Sequence, residues 1–311
     1  MLQGLIRFAV IYKNHQCEKY IMSDFIPWSS QPLESWASVY AQGKFIDLGG
    51  RKTHYIERGE GEPLILLHGF FYDSYLWADN INALAKNFKV YALDLWGCGY
   101  STREPLDYGY PLYAEQVLRF IDKLGIQQAS LMGQSMGGGT AIQFCLQHRE
   151  RVIKLVLVSA AGLPNPVPLI AKFFNLPRIG EFFLELNSDA MRKVGLVNFF
   201  IYDKSRLTDS HFANITRAHK IQGSTEVGLK IQRKDFFDKL YNEIHQLGKM
   251  VLPPILIVWG REDKAVPLKC GQEMQRILKG SRLAIIDKAG HVPNFNRADE
   301  FNQLAVNFLC E

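Results

Sequence analysis

The sequence Gly133-Gln134-Ser135-Met136-Gly137 is the feature that most constrains the fold of this chain. An apolar run at 129–132 precedes it and a helix-like run at 141–148 follows it, so the five residues occupy a turn between a strand and a helix. A Gly-x-Ser-x-Gly turn in that position is so sharp that its serine adopts a strained backbone conformation. The Ser135 hydroxyl should then stand clear of the backbone, with the N–H of Met136 directed at any negative charge that develops beside it.

This pattern is short and arises by chance in glycine-rich turns, so its interpretation depends on partners further along the chain. A serine hydroxyl is a weak nucleophile near neutral pH and needs a base, which an acid must orient. Two later strand-like runs are followed within a few residues by Asp263 and by His291. Both residues thus lie at the carboxyl ends of strands, where α/β sheets hold their chemistry. We predict that they act with Ser135 as a catalytic triad, with Glu262 and Asp287 as the competing acids.

Taken together, these motifs resemble the α/β-hydrolase superfamily over roughly residues 44–311. The resemblance extends to His68-Gly69-Phe70 after an early strand-like run, and to the turn at 94–101 (Asp-Leu-Trp-Gly-Cys-Gly-Tyr-Ser). It implies an α/β-hydrolase fold: a mostly parallel eight-stranded sheet with helices on both faces and an inserted helical cap. It also implies that the N–H of Phe70 joins that of Met136 in an oxyanion hole.

Alternating strand-like and helix-like runs agree with this α/β fold class. Residues 44–58 are predicted to form a hairpin. Four strands are predicted at 63–68, 89–94, 128–133 and 153–159, and two helices at 75–87 and 112–124. Short strand–helix units of this kind produce a mostly parallel sheet.

The alternation breaks between Gly162 and Pro253, which indicates an insertion. We predict an N-terminal extension at 1–43, a core formed by 44–162 and 248–311, and a helical cap at 163–247. Within the cap the chain has Phe-Phe pairs at 173–174, 182–183, 199–200 and 236–237. Such pairs are typical of contacts between a cap and its core, and some of them should line an apolar cleft.

Composition excludes several other classes of protein. The net charge of +5 forms no long basic run, so a nucleic-acid partner is not expected. Five cysteines without a Cys-x-x-Cys pair are typical of a reducing compartment, which predicts a cytoplasmic protein. None of the eight histidines is spaced as a metal ligand near another His or Cys, and the predicted chemistry needs no cofactor and no metal. The oligomeric state stays open.

The first residues allow two interpretations. The apolar run at 5–12 is too short to span a bilayer, so no stable membrane insertion is predicted. It could serve as a weak interfacial anchor, or Met22 could be the natural start of the chain. Neither interpretation changes the expected chemistry.

The leading functional hypothesis is a carboxylesterase-like serine hydrolase. It would cleave the ester of a small to medium apolar acyl group through an acyl-enzyme intermediate, and its partner is a small-molecule substrate. Serine at position 135 argues against the haloalkane dehalogenase and epoxide hydrolase branches of the superfamily, whose members carry an aspartate there.

The alternative is a carbon–carbon bond hydrolase acting on meta-cleavage products, the 2-hydroxy-6-oxo-dienoates. Segments at 135–138, 200–203 and 298–302 resemble that subfamily, and Arg217 would then be the candidate partner of the substrate carboxylate. Phe70-Phe71 and Val292 depart from the subfamily pattern and would make the mouth of the site bulky and apolar, which favours the ester hypothesis. A third hypothesis is a ligand receptor on the same fold.

Overall fold

Eight strands form a single sheet. The protein is described by a computed structural model covering residues 26–165, 176, 178–181, 188–234 and 239–311. The strands are β1 (Lys44–Asp47), β2 (Lys52–Arg58), β3 (Glu62–Leu67), β4 (Phe88–Leu93), β5 (Ala129–Gln134), β6 (Val152–Val158), β7 (Ile255–Gly260) and β8 (Arg282–Ile286). Their order across the sheet is β1-β2-β4-β3-β5-β6-β7-β8. Strands β3 to β8 are parallel, whereas β2 is antiparallel to both of its neighbours.

Helices connect or flank these strands. They are α1 (Leu33–Tyr40), α2 (Ala78–Leu84), α3 (Tyr110–Lys123), α4 (Met136–Gln147), α5 (Ser188–Gly195), α6 (Asp209–Arg217), α7 (Ser224–Arg233), α8 (Tyr241–Leu247), α9 (Leu268–Ile277), α10 (Pro293–Asn296) and α11 (Ala298–Cys310). None of these helices is long and apolar enough to cross a membrane.

Side chains alternate along the buried strands and supply two hydrophobic cores, one on each face of the sheet. In β3, Ile65 and Leu67 belong to the core that α3, α4, α8 and α9 cover. Leu64 and Leu66 belong to the other core, which α2 and α11 cover. Successive strand residues point to opposite faces, so a continuous apolar run is what a strand buried on both faces requires. The predicted eight-stranded, mostly parallel sheet with helices on both faces is therefore confirmed.

The described part of the segment between β6 and β7 is helical. It contains α5, a π-helical turn at Leu196–Phe200, α6, α7 and α8, and its described residues include no strand. Of the four Phe-Phe pairs that were predicted to join the cap to the core, only 199–200 falls within the described residues, at the end of the π-helical turn. The segment is called the insert below, with the predicted bounds 163–247.

The described part of the predicted N-terminal extension packs against the rest of the fold. From Trp28 onward it lies against the insert: Ser30 N donates to Lys220 O at 2.8 Å, and Gln222 N donates to Gln31 O at 2.8 Å. Trp36 Nε1 donates to Arg217 O at 3.0 Å. No sequence pattern indicates these contacts, because most of them are backbone hydrogen bonds, which any side chain permits.

Close packing of α4 against the end of β3 requires glycine at position 137. A Cβ there would lie 2.2 Å from the carbonyl oxygen of Leu67 and 2.7 Å from that of His68. Both contacts are with backbone, which cannot move aside as a flexible side chain can. At Gly195, in contrast, a Cβ would meet no atom within 4 Å.

We expect Gly137→Ala to lower the free energy of unfolding by about 3 kcal/mol, because the added methyl group overpacks a rigid backbone contact. Gly195→Ala, the matched control in an open helical position, should raise it by about 0.5–1 kcal/mol. Urea unfolding of both variants measures the difference. Equal unfolding midpoints for the two would contradict the proposed packing constraint.

Candidate active site

Ser135 occupies the turn between β5 and α4 in the strained conformation that its motif predicts. Its backbone angles are φ 51° and ψ −114°, a region that residues with a Cβ seldom adopt. The turn closes because Gly133 has no side chain: a Cβ there would lie 2.2 Å from Gly137 O. The structure thus holds the serine at the amino end of α4, at the carboxyl edge of the sheet.

The three residues predicted as a triad lie together. His291 Nε2 is 2.9 Å from Ser135 Oγ, and His291 Nδ1 is 2.9 Å from Asp263 Oδ2. All three residues are buried. Because an ionised carboxylate only accepts hydrogen bonds, Nδ1 donates to Asp263 and Nε2 is left to accept from the serine hydroxyl. This is the arrangement in which His291 can take the proton of Ser135.

The two acids at 262 and 263 have different partners. The backbone N–H groups of Ala265 and Val266 donate to Asp263 Oδ1, each at 2.9 Å, which aims Oδ2 at the histidine. Glu262 Oε2 instead accepts from Ala289 N at 3.0 Å and so supports the loop that leads to His291. The other competing acid, Asp287, is on the surface in an ion pair with Arg261.

Two further contacts fix the loop that carries His291. The side-chain amide of Gln134 donates to His291 O at 2.8 Å, which joins the loop to the serine turn. From the insert, Phe200 O accepts from His291 N at 2.9 Å, and the two rings meet edge to face with centroids 5.2 Å apart. The insert therefore contacts the histidine directly.

The segment 68–72 borders the serine on the other side. At Gly69 a Cβ would lie 3.2 Å from Ser135 Cβ and 2.1 Å from Gln134 Oε1, so only glycine lets this segment come so near. Tyr72 N donates to Gly69 O at 3.2 Å and closes a turn. Phe70 follows Gly69 in this turn. Met136 is the first residue of α4, so its N–H has no partner within the helix.

His68 supports this segment from below. Leu95 N donates to His68 Nε2 at 3.0 Å, so the ring proton is on Nδ1, which donates to Gly69 O at 2.8 Å. Burial lowers the pKa of His68, which favours the neutral ring that these two hydrogen bonds require.

A buried ion pair holds the 94–101 turn beside the site. His54 Nδ1 lies 2.7 Å from Asp94 Oδ2 and Nε2 lies 2.9 Å from Gln42 O, so both ring nitrogens donate and the ring is cationic. Burial would raise the pKa of Asp94, but the charge and hydrogen bond of His54 lower it to about 2. Burial, with the Asp94 charge, raises the pKa of the neighbouring Asp73 to about 7.

Arg192, on α5, is a residue of this region that the sequence analysis missed. Its Nη2 donates to Phe71 O at 2.7 Å, and its guanidinium carbon lies 5.6 Å and 5.8 Å from the ring centres of Phe71 and Phe200. Burial lowers its pKa. An arginine on an amphipathic helix is usually solvent-exposed, so no sequence signal could have distinguished this one.

Arg217 has a different environment from the triad. Its guanidinium carbon lies 4.7 Å from the ring centre of Tyr40. It lines a cavity of about 110 Å³ together with His54, Asp73 and Asn214, among others, and none of the three triad residues lines that cavity. Its predicted contact with a substrate carboxylate stays a prediction.

Comparison with known proteins identifies the family. The family model described as "alpha/beta hydrolase fold" matches residues 62–298. The chain belongs to the α/β-hydrolase family. Among its relatives in that family is the 2-hydroxy-6-oxo-6-phenylhexa-2,4-dienoate hydrolase of Comamonas testosteroni, with 30% identity over 89% of this chain and 97% of the relative.

Other members of the family support the same relationship. A 2-hydroxy-6-oxononadienedioate/2-hydroxy-6-oxononatrienedioate hydrolase of Pseudomonas putida is 31% identical over 82% of this chain and 91% of its own length. Among solved structures, a meta-cleavage product hydrolase from Pseudomonas fluorescens IP01 superposes with a TM-score of 0.72 at 29% identity, covering 86% of this chain and 97% of that one.

These relatives contradict the carboxylesterase prediction and favour the alternative of a dienoate hydrolase. The prediction was wrong because it gave too much weight to two departures from the subfamily pattern. Val292 is fully buried and belongs to the core that α2 and α11 cover, not to an exposed mouth of the site. The predicted role of Phe70 in the oxyanion hole depends on its backbone N–H, which is present whatever the side chain.

The two neighbouring acids provide a matched test of the triad. We expect Asp263→Asn to lower kcat by about 10⁴-fold, because an amide at this position favours the wrong tautomer of His291. Glu262→Gln should change kcat by less than about 10-fold, since a neutral side chain can still accept from Ala289 N. Steady-state kinetics of both variants, with circular dichroism to confirm folding, decide between them. A large loss in Glu262→Gln alone would reverse the assignment.

Proposed function

We propose that this protein hydrolyses a carbon–carbon bond in a 2-hydroxy-6-oxo-dienoate, a small-molecule product of ring cleavage. The observation that carries the proposal is about 30% identity, over about nine-tenths of the chain, to hydrolases named for such substrates. The arrangement of Ser135, His291 and Asp263 supports it, because attack on a carbonyl carbon is what such an arrangement does. Arg217 is not part of the proposal, since its guanidinium lies over Tyr40.

Breaking a carbon–carbon bond requires a fragment that can leave with the electron pair. In the hydroxydienoate this becomes possible once the proton of the 2-hydroxyl group has moved to C5, which gives a 2,6-dioxo form. When the bond between C5 and C6 then breaks, its electron pair enters the conjugated system that ends at the 2-oxo oxygen. The leaving fragment is thus an enolate, which is far more stable than a simple carbanion.

In the proposed reaction, Ser135 Oγ attacks C6 while His291 takes the hydroxyl proton. The oxygen of the former ketone becomes an oxyanion, and the N–H groups of Phe70 and Met136 are the proposed donors to it. Collapse of this intermediate breaks the C5–C6 bond, and the enolate takes up the proton from His291. Water, activated by the same histidine, then releases the acyl group from Ser135. No cofactor takes part in these steps.

We further propose that the insert acts as a cap over this site. Ser135 is only 2% exposed, and the insert contacts both sides of its surroundings, at Phe71 and at His291. A closed, apolar site excludes water during the carbon–carbon cleavage step and strengthens the hydrogen bonds to the oxyanion.

The proposed compartment is the cytoplasm, in keeping with four free cysteines among the described residues.

The substrate class can be tested by comparing two reactions on one enzyme. We expect kcat/KM for a 6-phenyl-substituted 2-hydroxy-6-oxo-dienoate to exceed that for phenyl acetate and phenyl butyrate by at least about 100-fold, which corresponds to about 2.8 kcal/mol of additional transition-state stabilisation. The first reaction is measured by the loss of the dienoate absorbance, and the second by the release of phenol.

Mass spectrometry of the products shows whether the dienoate is cleaved between C5 and C6. A higher efficiency with the esters would contradict the proposal. Binding of the dienoate without turnover would instead favour the ligand-receptor hypothesis.

A further inference from the structure

Arg192 is a buried cation without a carboxylate partner among the residues that the structure describes. It is 7% exposed, and no described Asp or Glu forms an ion pair with its guanidinium, although the charge of Asp73 acts on it. Its Nε is buried and lacks a hydrogen-bond partner in the described structure. Around it lie the carbonyl oxygen of Phe71, the side chain of Tyr72, with which it shares a hydrogen bond, and the rings of Phe71 and Phe200.

Such an arrangement is a poor source of stability. Removing a guanidinium from water is costly, and three aromatic rings with two hydrogen-bond partners, the Phe71 carbonyl oxygen and the Tyr72 side chain, replace only part of its hydration. An apolar side chain of similar volume would fill the same space without that cost. The position of Arg192 therefore points to a role in the site beside it.

The hydrogen bond from its Nη2 ends on a strained residue. Phe71 has φ 58°, which an aromatic residue adopts only where its surroundings hold it there. It occupies the third position of the turn that Tyr72 N closes on Gly69 O. Phe70, the proposed oxyanion donor, is the second residue of this four-residue turn, so the orientation of its N–H depends on the conformation at Phe71.

The ring of Phe71 is also held in place, by two neighbouring aromatic side chains. Trp28 and His219 lie against it, with ring centroids 6.2 Å and 5.6 Å away. The Trp28 side chain in turn donates to Asp189 Oδ1 at 2.7 Å, one helical turn before Arg192 on α5. Helix α5 therefore reaches both the carbonyl group and, through Trp28, the ring of Phe71.

We propose that Arg192 is a positioning residue that sets the oxyanion loop, residues 68–72, by holding the carbonyl group of Phe71. The same stretch of the insert continues into the π-helical turn whose last residue, Phe200, accepts from His291 N. One element thus orients the oxyanion donor and the base together. This inference rests on the proposed roles of Ser135 and Phe70 in the function above, but not on the identity of the substrate.

The test uses a small fluorophosphonate, a probe that reacts with the serine and carries no carboxylate. Its reaction needs the oxyanion donors but cannot report on recognition of a carboxylate. We expect Arg192→Met to slow labelling of Ser135 by at least about 10-fold, since removing a single oxyanion donor costs about 10²–10³-fold and here the donor is displaced rather than lost. The urea midpoint should stay the same or rise. Arg192→Lys should recover part of the rate.

The matched control is the next residue of the helix. Lys193 has a side chain that is 53% exposed, with a distant ion pair to Asp209 and its ammonium group 5.6 Å from the ring centre of Phe212. Lys193→Gln should label at the rate of the unsubstituted protein. If the protein turns over a dienoate, Arg192→Met should lower kcat more than it raises KM.

Two results would overturn the proposal. Unchanged labelling in Arg192→Met would do so, and if KM for the dienoate rose at the same time, the guanidinium would bind the substrate carboxylate instead. Slower labelling with a matching drop in the urea midpoint would show a purely structural role. Because labelling does not involve carbon–carbon cleavage, failure of the proposed substrate class would leave this test intact.

Discussion

The close contact between α4 and the end of β3 is the constraint on which the site depends. Gly137 brings the helix against the carbonyl groups of Leu67 and His68, and the same contact places the segment after β3 beside Ser135. The serine turn and the oxyanion loop are therefore not two independent features. They are the two sides of one backbone contact that a single methyl group would separate. Burial at the sheet edge then leaves His291 and Asp263 one arrangement in which both are hydrogen-bonded.

The insert and the chain before β1 complete this arrangement from above. Backbone hydrogen bonds join residues 29–31 to residues 219–222, and Trp28 packs against Phe71. Through Arg192 and Phe200, helix α5 and its π-helical turn contact both the oxyanion loop and the histidine loop. A short π-helical segment at a functional site is a recurrent feature of enzymes. Here it ends α5 so that the carbonyl group of Phe200 meets the N–H of His291.

Local sequence was sufficient to predict the parts of the site that depend on local geometry. A Gly-x-Ser-x-Gly turn needs its glycines whatever the rest of the chain does, and residues that follow parallel strands must meet at one edge of the sheet. The alternating strand-like and helix-like runs predicted a mostly parallel sheet, and the number of eight strands came from the resemblance to the α/β-hydrolase superfamily. Arg192 was not predictable, because its role depends on which face of α5 meets Phe71. The substrate class was misjudged because Phe70 was assessed by its side chain, although its predicted role depends on its backbone N–H, and because Val292 proved to be buried.

The most direct test of the account is the rate of dienoate cleavage by Ser135→Ala. The account predicts a loss of at least about 10³-fold in kcat, since the bond from Ser135 Oγ to C6 can no longer form, together with complete loss of fluorophosphonate labelling. The urea midpoint should not fall, because the strained turn is retained and only one hydroxyl group is removed. Cleavage at an undiminished rate by the folded variant would contradict the central claim that Ser135 is the nucleophile.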